Sequence, residues 1–598
     1  MRNISQVAFL LFVSASVARA AIFRSPSELP KGVEYDYVIV GGGVAGSVLA
    51  NRLTEDANAT VLVLEAGGTY DDQLIPHIPF FTTRMPRMYK WNFTSVPQAG
   101  INGDSINYGR GFILGGSSAV NGMYYTRGSS EDFERLAAVT EDEGWNWDNI
   151  VPYFLKSEKF TPPADGHNTT GDFIPSAHNM GGSGRVAVSL PGFEQSLDNL
   201  VIQASQQLGG IFQFNEDQNS GNNLGIGWNT ATIDISNRSS AAAAYLTPED
   251  VARDNLHILV NARASRVLSV DGTTDIRSVE YAQDLDGPFF TVNATREVLI
   301  TSGVFGTPAI LLNSGIGSAA YLQGLGIQLV LDLPSVGKNF TDQPSISTAW
   351  LVNSTTTWDT FNRNQTNIDE ALDQWANERS GPLVDTLGNQ LGFFRVNDSV
   401  LEQFGPDPAS GPNSPHLELL AANGLFSPNP PAEGNFMSIS INLVSAESRG
   451  SFLLNDTDRS PFASPIIDPQ YLSTKFDKVA LREGIKTAFQ FLTAPVFQDY
   501  VLGFSGDLLN GTLPITDDLI DQYVAENTAT SNHPIGTCSM SPKGAQWGVV
   551  DPDFRVKGAR GLRIVDASTF PYNPSAHPMS VMYAMAERAA DLIKADSS

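Results

Sequence analysis

Residues Tyr35 to Gly68 read YDYVIVGGGVAGSVLANRLTEDANATVLVLEAGG. The run Tyr37–Val40 has the unbroken apolar character of a strand buried on both faces, and Thr60–Leu64 repeats it. Between them a glycine turn opens into a helical stretch, so the segment reads as a βαβ unit. The turn has the spacing Gly41-x-Gly43-x-x-Gly46, with Val44 and Ala45 inside it. Gly41 allows a tight turn, Gly43 lets backbone approach a pyrophosphate, and Gly46 lets the helix pack closely on the strand. The helix amino end then presents unsatisfied N–H groups and a positive dipole to the phosphates. Glu65 closes the second strand, placed to accept from ribose hydroxyls. Such glycines also occur in ordinary α/β turns; the order strand, turn, helix, strand, acid favours a dinucleotide site. At this point NAD and FAD both fit.

The chain has 598 residues, enough for a large core and two domains. It begins with Arg2, an apolar run from Val7 to Val17 and Ala18-Arg19-Ala20, the pattern of a secretory signal cleaved after Ala20. No other apolar run approaches the roughly 20 residues needed to cross a bilayer, so a soluble, secreted, extracellular protein with no membrane partner is expected. Eleven Asn-x-Ser/Thr sequons follow, including Asn92, Asn168, Asn237, Asn339, Asn364 and Asn510, which predicts N-glycans. The net charge of -27 argues against nucleic acid and anionic membranes. The single cysteine, Cys538, reads as a buried residue rather than a nucleophile. The histidines at 77, 167, 178, 257, 416, 533 and 577 form no HxH or HxxxH pair, so no metal site is expected. Secretion bears on the cofactor: diffusible NAD(P)H is not recycled outside the cell, so a retained flavin, FAD, is favoured over NAD.

Further along, NYGRGFILGGSSAVNGMYYTRG (Asn107–Gly128) is a Gly/Ser loop running into apolar residues. A polar, irregular stretch from Glu131 to about Asn237 includes EDEGWNWDNIVPYFLKSEKF, which predicts helix, and RVAVSL, which predicts strand. LHILV and EVLIT return the chain to a sheet, and GVFGTPAILLNSGIG (Gly303–Gly317) predicts a helix from about Thr307. From Trp350 to about Asp521, Asn/Pro-rich loops alternate with strands such as FMSISINLV. The last 70 or so residues predict a turn, the strand LRIVD and a helix from Pro578 to Lys594. In that tail His533 (NHPIG) and His577 (SAHPM) each precede a proline, in stiff turns flanking a buried strand. Taken alone the two histidines are only a weak pointer to chemistry.

The segments 107–128, 303–317, VGKNFTDQP (Val336–Pro344) and the block from Asn532 to Ile593 together resemble the glucose–methanol–choline (GMC) oxidoreductases, in the expected order from about residue 34 to 595. Within that family SSEDFERLAAV, DEGWNWDNI and PPADGHNTTGDFIPSAH are most similar to fungal aryl-alcohol oxidases and pyranose or oligosaccharide dehydrogenases. The resemblance implies an α/β fold. A Rossmann-like FAD domain (33–130, 240–345, 526–595) would be interleaved with a substrate domain (131–239, 346–525) built on an antiparallel sheet with flanking helices. It implies FAD contacts from Arg110, Gly115, Gly116, Ser117, Ser118, Asn121, Gly122, Met123, Asp566, Ala567, Pro578 and Met579, and an active-site pair, His533 and His577.

Oxidising an alcohol removes a proton from oxygen and a hydride from carbon. A neutral imidazole takes the proton, an effect worth roughly 10²–10⁴-fold, and the flavin takes the hydride. The resemblance casts His533 as proton acceptor and His577 as the partner on the alcohol oxygen, with shared or reversed roles as the alternative. Ser575 is expected to cap the helix that starts near Pro578. The implied function is oxidation of CH–OH groups, in primary aryl or allylic alcohols or in carbohydrates, with O2 or a quinone as acceptor. A hydroxynitrile lyase and a non-catalytic flavin carrier are the rivals.

Departures from the family pattern bear on the donor. Asn121-Gly122 stands where aryl-alcohol oxidases carry His-Tyr and is more similar to glucose oxidases and sugar dehydrogenases, and Asn532 stands where aryl-alcohol oxidases carry Phe. Phe426 is the candidate for a remaining aromatic wall. Val120 occupies the position of the histidine that tethers flavin in pyranose dehydrogenases, so non-covalent FAD is expected. Gln343 stands where many relatives have His, and Gly109 replaces the usual proline.

Overall fold

The computed structural model describes residues 21–70, 73–174, 178, 182–427, 430–505 and 515–597. The expected signal segment and the sequon at Asn510 lie outside them. Two large sheets organise the described chain. The first holds the parallel strands Tyr35–Val40 and Val61–Leu64 side by side, extended by Leu256–Leu259 and Ile22–Phe23 on one flank. On the other flank runs Phe289–Ile300. Its carboxyl half pairs in parallel with both Tyr35–Val40 and Leu562–Ile564, and its amino half joins an antiparallel extension through Ile276–Ala282 and Arg263–Ser269. The central strands are apolar on both faces, and Val38, Ile39, Val61 and Leu62 are almost fully buried.

Helix Val44–Leu53 packs on the terminal helix Pro578–Ser597, and Arg52 at its end pairs with Glu587 and Asp591. The segment 303–317 forms a helix over Gly303–Asn313, one turn earlier than its sequence predicts. Asp566 Oδ2 accepts from Gly303 N (2.9 Å) and Thr307 Oγ1 (2.5 Å), supplying the cap that local sequence lacks. Pro308 lies inside this helix and has no N–H for the Val304 carbonyl. The hydroxyl of Thr537 donates to that carbonyl instead, at 2.7 Å.

The second sheet is antiparallel, in the order Val501–Ser505, Pro344–Val352, Phe436–Leu443, Leu417–Ala422, Gln390–Phe394, Gly225–Trp228, with Ala529–Thr530 also on Pro344–Val352. Helix Lys475–Phe491 packs on it through Ala480, Gly484 and Ala488, small residues that let helix and sheet approach. Helix Trp147–Ser157 and strand Val186–Val188 form where their sequences predict them. Ser575 does not cap the terminal helix: that helix begins at Pro578, and the Ser575 hydroxyl donates to Asp132 Oδ2 at 2.5 Å.

Candidate active site

The glycine turn takes the shape its spacing requires. Gly41 has φ 111°, and a Cβ on it would lie 2.6 Å from the Thr301 carbonyl oxygen. At Gly46 a Cβ would sit 1.9 Å from the Gly41 carbonyl oxygen, so only hydrogen fits where helix meets strand. Gly43 differs, for its nearest neighbour would be Gly116 Cα at 3.9 Å; it is bare so that something else can approach. It starts helix Val44–Leu53 with no side-chain cap, leaving the first N–H groups open.

A cavity of about 1250 Å³ runs from this turn to the two histidines. Gly41, Gly43, Val44, Ala45, Glu65, Arg110, Gly116, Ser117, Ser118, Asn121, Gly122, Met123, Asn532, His533, Asp566, Ala567, His577, Pro578 and Met579 all line it. Gly46 and Gly115 stand behind the wall. Gly115 has φ 90° and holds the Gly/Ser loop against Gly42 O through its N–H (2.7 Å). Glu65 accepts from Gly42 N through one carboxylate oxygen and from Gly67 N through the other, both at 2.7 Å. Burial pushes its carboxyl up to about 7 in spite of those two donors.

At the far end, His533 is 4.6 Å from His577 between ring centroids, the planes 76° apart. The His533 turn is tightly determined. Asn532 has φ 60°, its carbonyl accepts from Arg110 Nη2 (2.8 Å), and its N–H donates to Thr530 Oγ1 (2.7 Å). His533 N donates to Asp342 Oδ1 (3.0 Å), and its Nδ1 lies 2.6 Å from Gln343 Oε1. Burial, with His577 and Arg110 close by, holds the His533 imidazole well below its ordinary value, so it is neutral.

His577 N donates to Thr126 Oγ1 at 2.8 Å, and its Nε2 lies 2.7 Å from Glu418 Oε1. Glu418 is buried, and its other oxygen accepts from Asn442 Nδ2 at 2.7 Å. Tyr124 lies beside His577, with ring centroids 5.0 Å apart. Asn121 accepts from Met123 N and from Arg238 Nη1, which hold it in place on the wall.

Phe426 is not part of that wall. It packs at the edge of a separate cluster, 6.5 Å from Phe80 between centroids, and the aromatic ring beside the histidines is that of Tyr124 instead. Glu418, Thr126 and Asn442 were not singled out by sequence. Each lies on its own strand or loop far from the histidine turns, and only the antiparallel pairing of Leu417–Ala422 with Phe436–Leu443 brings two of them together. Ser438, Ser440 and Asn442 alternating within Phe436–Leu443, and the single polar Glu418 within Leu417–Ala422, were the available signals.

The GMC oxidoreductase family profile matches residues 35–345 and 446–586. Over 605 aligned positions the chain is 41% identical to the "Dehydrogenase eriK" of Hericium erinaceus, covering 99% of each chain. It is 38% identical to pyranose dehydrogenase 3 of Leucoagaricus meleagris, covering 96% of this chain and 95% of the relative. Among solved structures, a formate oxidase superposes with TM-score 0.86 at 27% identity, over 95% of this chain and 99% of the other. A fungal aryl-alcohol oxidase does so with TM-score 0.81 at 28% identity, over 94% and 99%.

Proposed function

The chain belongs to the GMC oxidoreductase family, an enzyme of CH–OH oxidation, and from that premise we propose that it binds FAD non-covalently and oxidises a polyhydroxylated donor. The cradle of Gly41, Gly43 and Gly116, the uncapped helix at Val44 and the cavity volume of about 1250 Å³ suit a dinucleotide. Glu65 would serve the ribose, Asp566 with Ala567 the middle of the cofactor, and Asn121–Met123 with Pro578 and Met579 its ring, a reading supported by their lining one cavity. When bound, FAD supplies the hydride acceptor. The observation that carries the reading is the pair of histidines meeting at the far end of that cavity, one of them held neutral.

His533 receives the hydroxyl proton as the carbon gives up its hydride. His577, anchored through Glu418 and Thr126, orients the donor oxygen. The polypeptide regions 33–130, 240–345 and 526–595 serve the cofactor, and 131–239 with 346–525 serve the donor. Val120 lines the cavity where a tethering histidine would stand, which supports FAD without a covalent link.

Of the two donor classes, the lining favours carbohydrate over aryl alcohol. Ser345, Ser440, Asn442, Ser531 and Asn532 line the cavity, and beside the histidines the aromatic contribution is Tyr124, not Phe426. Ser531 Oγ and Asn532 Oδ1 are buried without a hydrogen-bond partner, a cost that donor hydroxyls would relieve. The pyranose dehydrogenase relatives agree with this choice. O2 or a quinone would take the electrons. The signal-like sequence from Val7 to Ala20 and the exposed sequons at Asn92, Asn168 and Asn364 support a secreted glycoprotein.

The test is anaerobic mixing of the yellow holoprotein with sugars and with benzyl alcohols. Sugars should bleach the flavin at lower concentration, and His533→Ala should retain FAD while bleaching at least about a hundredfold more slowly. An unchanged rate in His533→Ala would overturn the assignment, and a donor cleaved without bleaching would point to a lyase. Peroxide formed in air separates O2 from a quinone as acceptor.

A further inference from the structure

Gln343 occupies a position between the two histidine turns that determines more than packing. Its side chain is fully buried. The amide nitrogen lies 3.1 Å from Pro574 O and 3.1 Å from Ala576 O, the two carbonyls that precede His577. The amide oxygen lies 2.6 Å from His533 Nδ1. A primary amide has two N–H donors and one carbonyl acceptor. Both carbonyl neighbours can only accept, so both hydrogens of the Gln343 amide are directed at them. Rotating the amide by half a turn would set its oxygen against two carbonyl oxygens and take the Gln343 donor from the Ala576 carbonyl, while Pro574 O would keep only Ala576 N (2.7 Å). The oxygen therefore faces His533, and an amide oxygen only accepts. Nδ1 of His533 must carry the hydrogen, which leaves the lone pair on Nε2.

We propose that Gln343 is a positioning residue that selects the proton-accepting nitrogen of His533, Nε2, and ties the His533 turn to the His577 turn so that the two rings keep one mutual geometry. The inference rests on the reading of His533 as the proton acceptor, and adds which of its nitrogens acts and what determines the choice. The neighbouring Asp342 reinforces it from the backbone side. Its Oδ1 accepts from both Gln343 N (2.8 Å) and His533 N (3.0 Å), and its Oδ2 accepts from Thr530 Oγ1 (2.6 Å) and from the Tyr471 hydroxyl. Three consecutive residues, Thr341 to Gln343, thus grip the 530–535 turn, since Thr341 also exchanges backbone hydrogen bonds with Ile535 (3.1 and 2.8 Å). A ring with the other tautomer would present an N–H, not a lone pair, to a donor hydroxyl and could not take its proton.

The experiment reads the tautomer directly in the FAD-loaded protein. Histidine is labelled with ¹⁵N, and the His533 signals are assigned by their loss in His533→Ala. The wild-type spectrum should show a protonated Nδ1 and an unprotonated Nε2; the opposite tautomer would overturn the proposal whether or not any donor is oxidised. In Gln343→Leu both tautomers should be populated, and flavin reduction by the best donor should slow at least tenfold. A single unchanged tautomer in that variant would show that Gln343 does not select it.

Gln343→Glu gives the pH readout. His533 is faced by Arg110, by His577 and, through its backbone, by Asp342; a carboxylate at 343 adds a negative partner at Nδ1. The acid limb of the reduction rate should then move up by about one pH unit or more, a shift that mere loosening would not produce. An unmoved limb would overturn the proposal. Failure of the wild type to reduce flavin with any alcohol would instead overturn the functional reading and leave the tautomer result standing.

Discussion

At its glycine end the cavity is walled largely by the backbone of the Gly41–Ala45 turn and of the Gly/Ser loop at Gly116–Ser118 that packs on it. At its histidine end the wall is made of side chains from segments far apart: Gln343 is 190 residues from His533, and Glu418 is 159 residues from His577. The glycine end works by leaving atoms out, so that a helix can press on a strand and a ligand can press on a turn. The histidine end works by placing polar atoms, each oriented by a partner. The first construction is local and depends on residue type at fixed spacing. The second is global and depends on the register of an antiparallel sheet. Mutations should therefore fail differently at the two ends.

The largest effect is expected from Gly46→Ala. A Cβ there would lie 1.9 Å from the Gly41 carbonyl oxygen, so backbone must move in the most buried part of the parallel sheet. A loss above about 4 kcal/mol is expected, with little yellow protein recovered. Thermal unfolding checks it, and a holoprotein with the wild-type midpoint would show that the glycine end is softer than its geometry.

Glu418→Gln comes next and should do the reverse. Unfolding and FAD content should stay at wild-type values, because Asn442 keeps a polar partner. Flavin reduction should slow by about 10–100-fold, since His577 loses the carboxylate that anchors its Nε2. Stopped-flow reduction at saturating donor measures this, and full activity would remove Glu418 from the site.

These two variants also mark what sequence could and could not disclose. The glycine spacing, the two buried strands and the terminal helix could be read because periodicity and residue type act over short distances. The early start of helix Gly303–Asn313 could not, because its cap is Asp566, more than two hundred residues away. His533 and His577 stood out through their proline-stiffened turns and family resemblance, whereas Glu418 reads in sequence as one polar residue in an apolar strand. Phe426 went astray for the same reason: an aromatic in the sequence GLFSP suits a pocket wall and a core edge equally well, and only the fold assigns it to Phe80.

Gly43→Ala sharpens the contrast within the glycine end itself. With φ near -77° and no neighbour closer than 3.9 Å, an alanine is tolerated by the chain. Stability of the FAD-free protein should stay within about 1 kcal/mol, while FAD affinity should fall about tenfold, or about 1.4 kcal/mol. Titration of the FAD-free protein by flavin fluorescence decides it. Equal affinity would mean that Gly43 is not where the cofactor approaches.

The smallest effect is a dependence on pH in which the two ends oppose each other. Glu65 at the glycine end is pushed up to about 7 by burial, whereas an unfolded glutamate titrates near 4.3. Between those values the folded chain holds a proton that the unfolded chain releases, so its contribution is complete below about pH 4 and is lost as pH rises through about 7. An effect on the order of 1 kcal/mol is expected between pH 5 and 7. His533 has the opposite sign. Held well below its ordinary value, it contributes fully above about pH 6.5, and that contribution is lost as pH falls. Urea unfolding of the FAD-free protein across this range should show Glu65→Gln gaining on the wild type as pH rises, and His533→Ala gaining on it as pH falls. Parallel curves for Glu65→Gln and the wild type would mean that the carboxylate between Gly42 N and Gly67 N stays ionised throughout, and that the glycine end stores no proton.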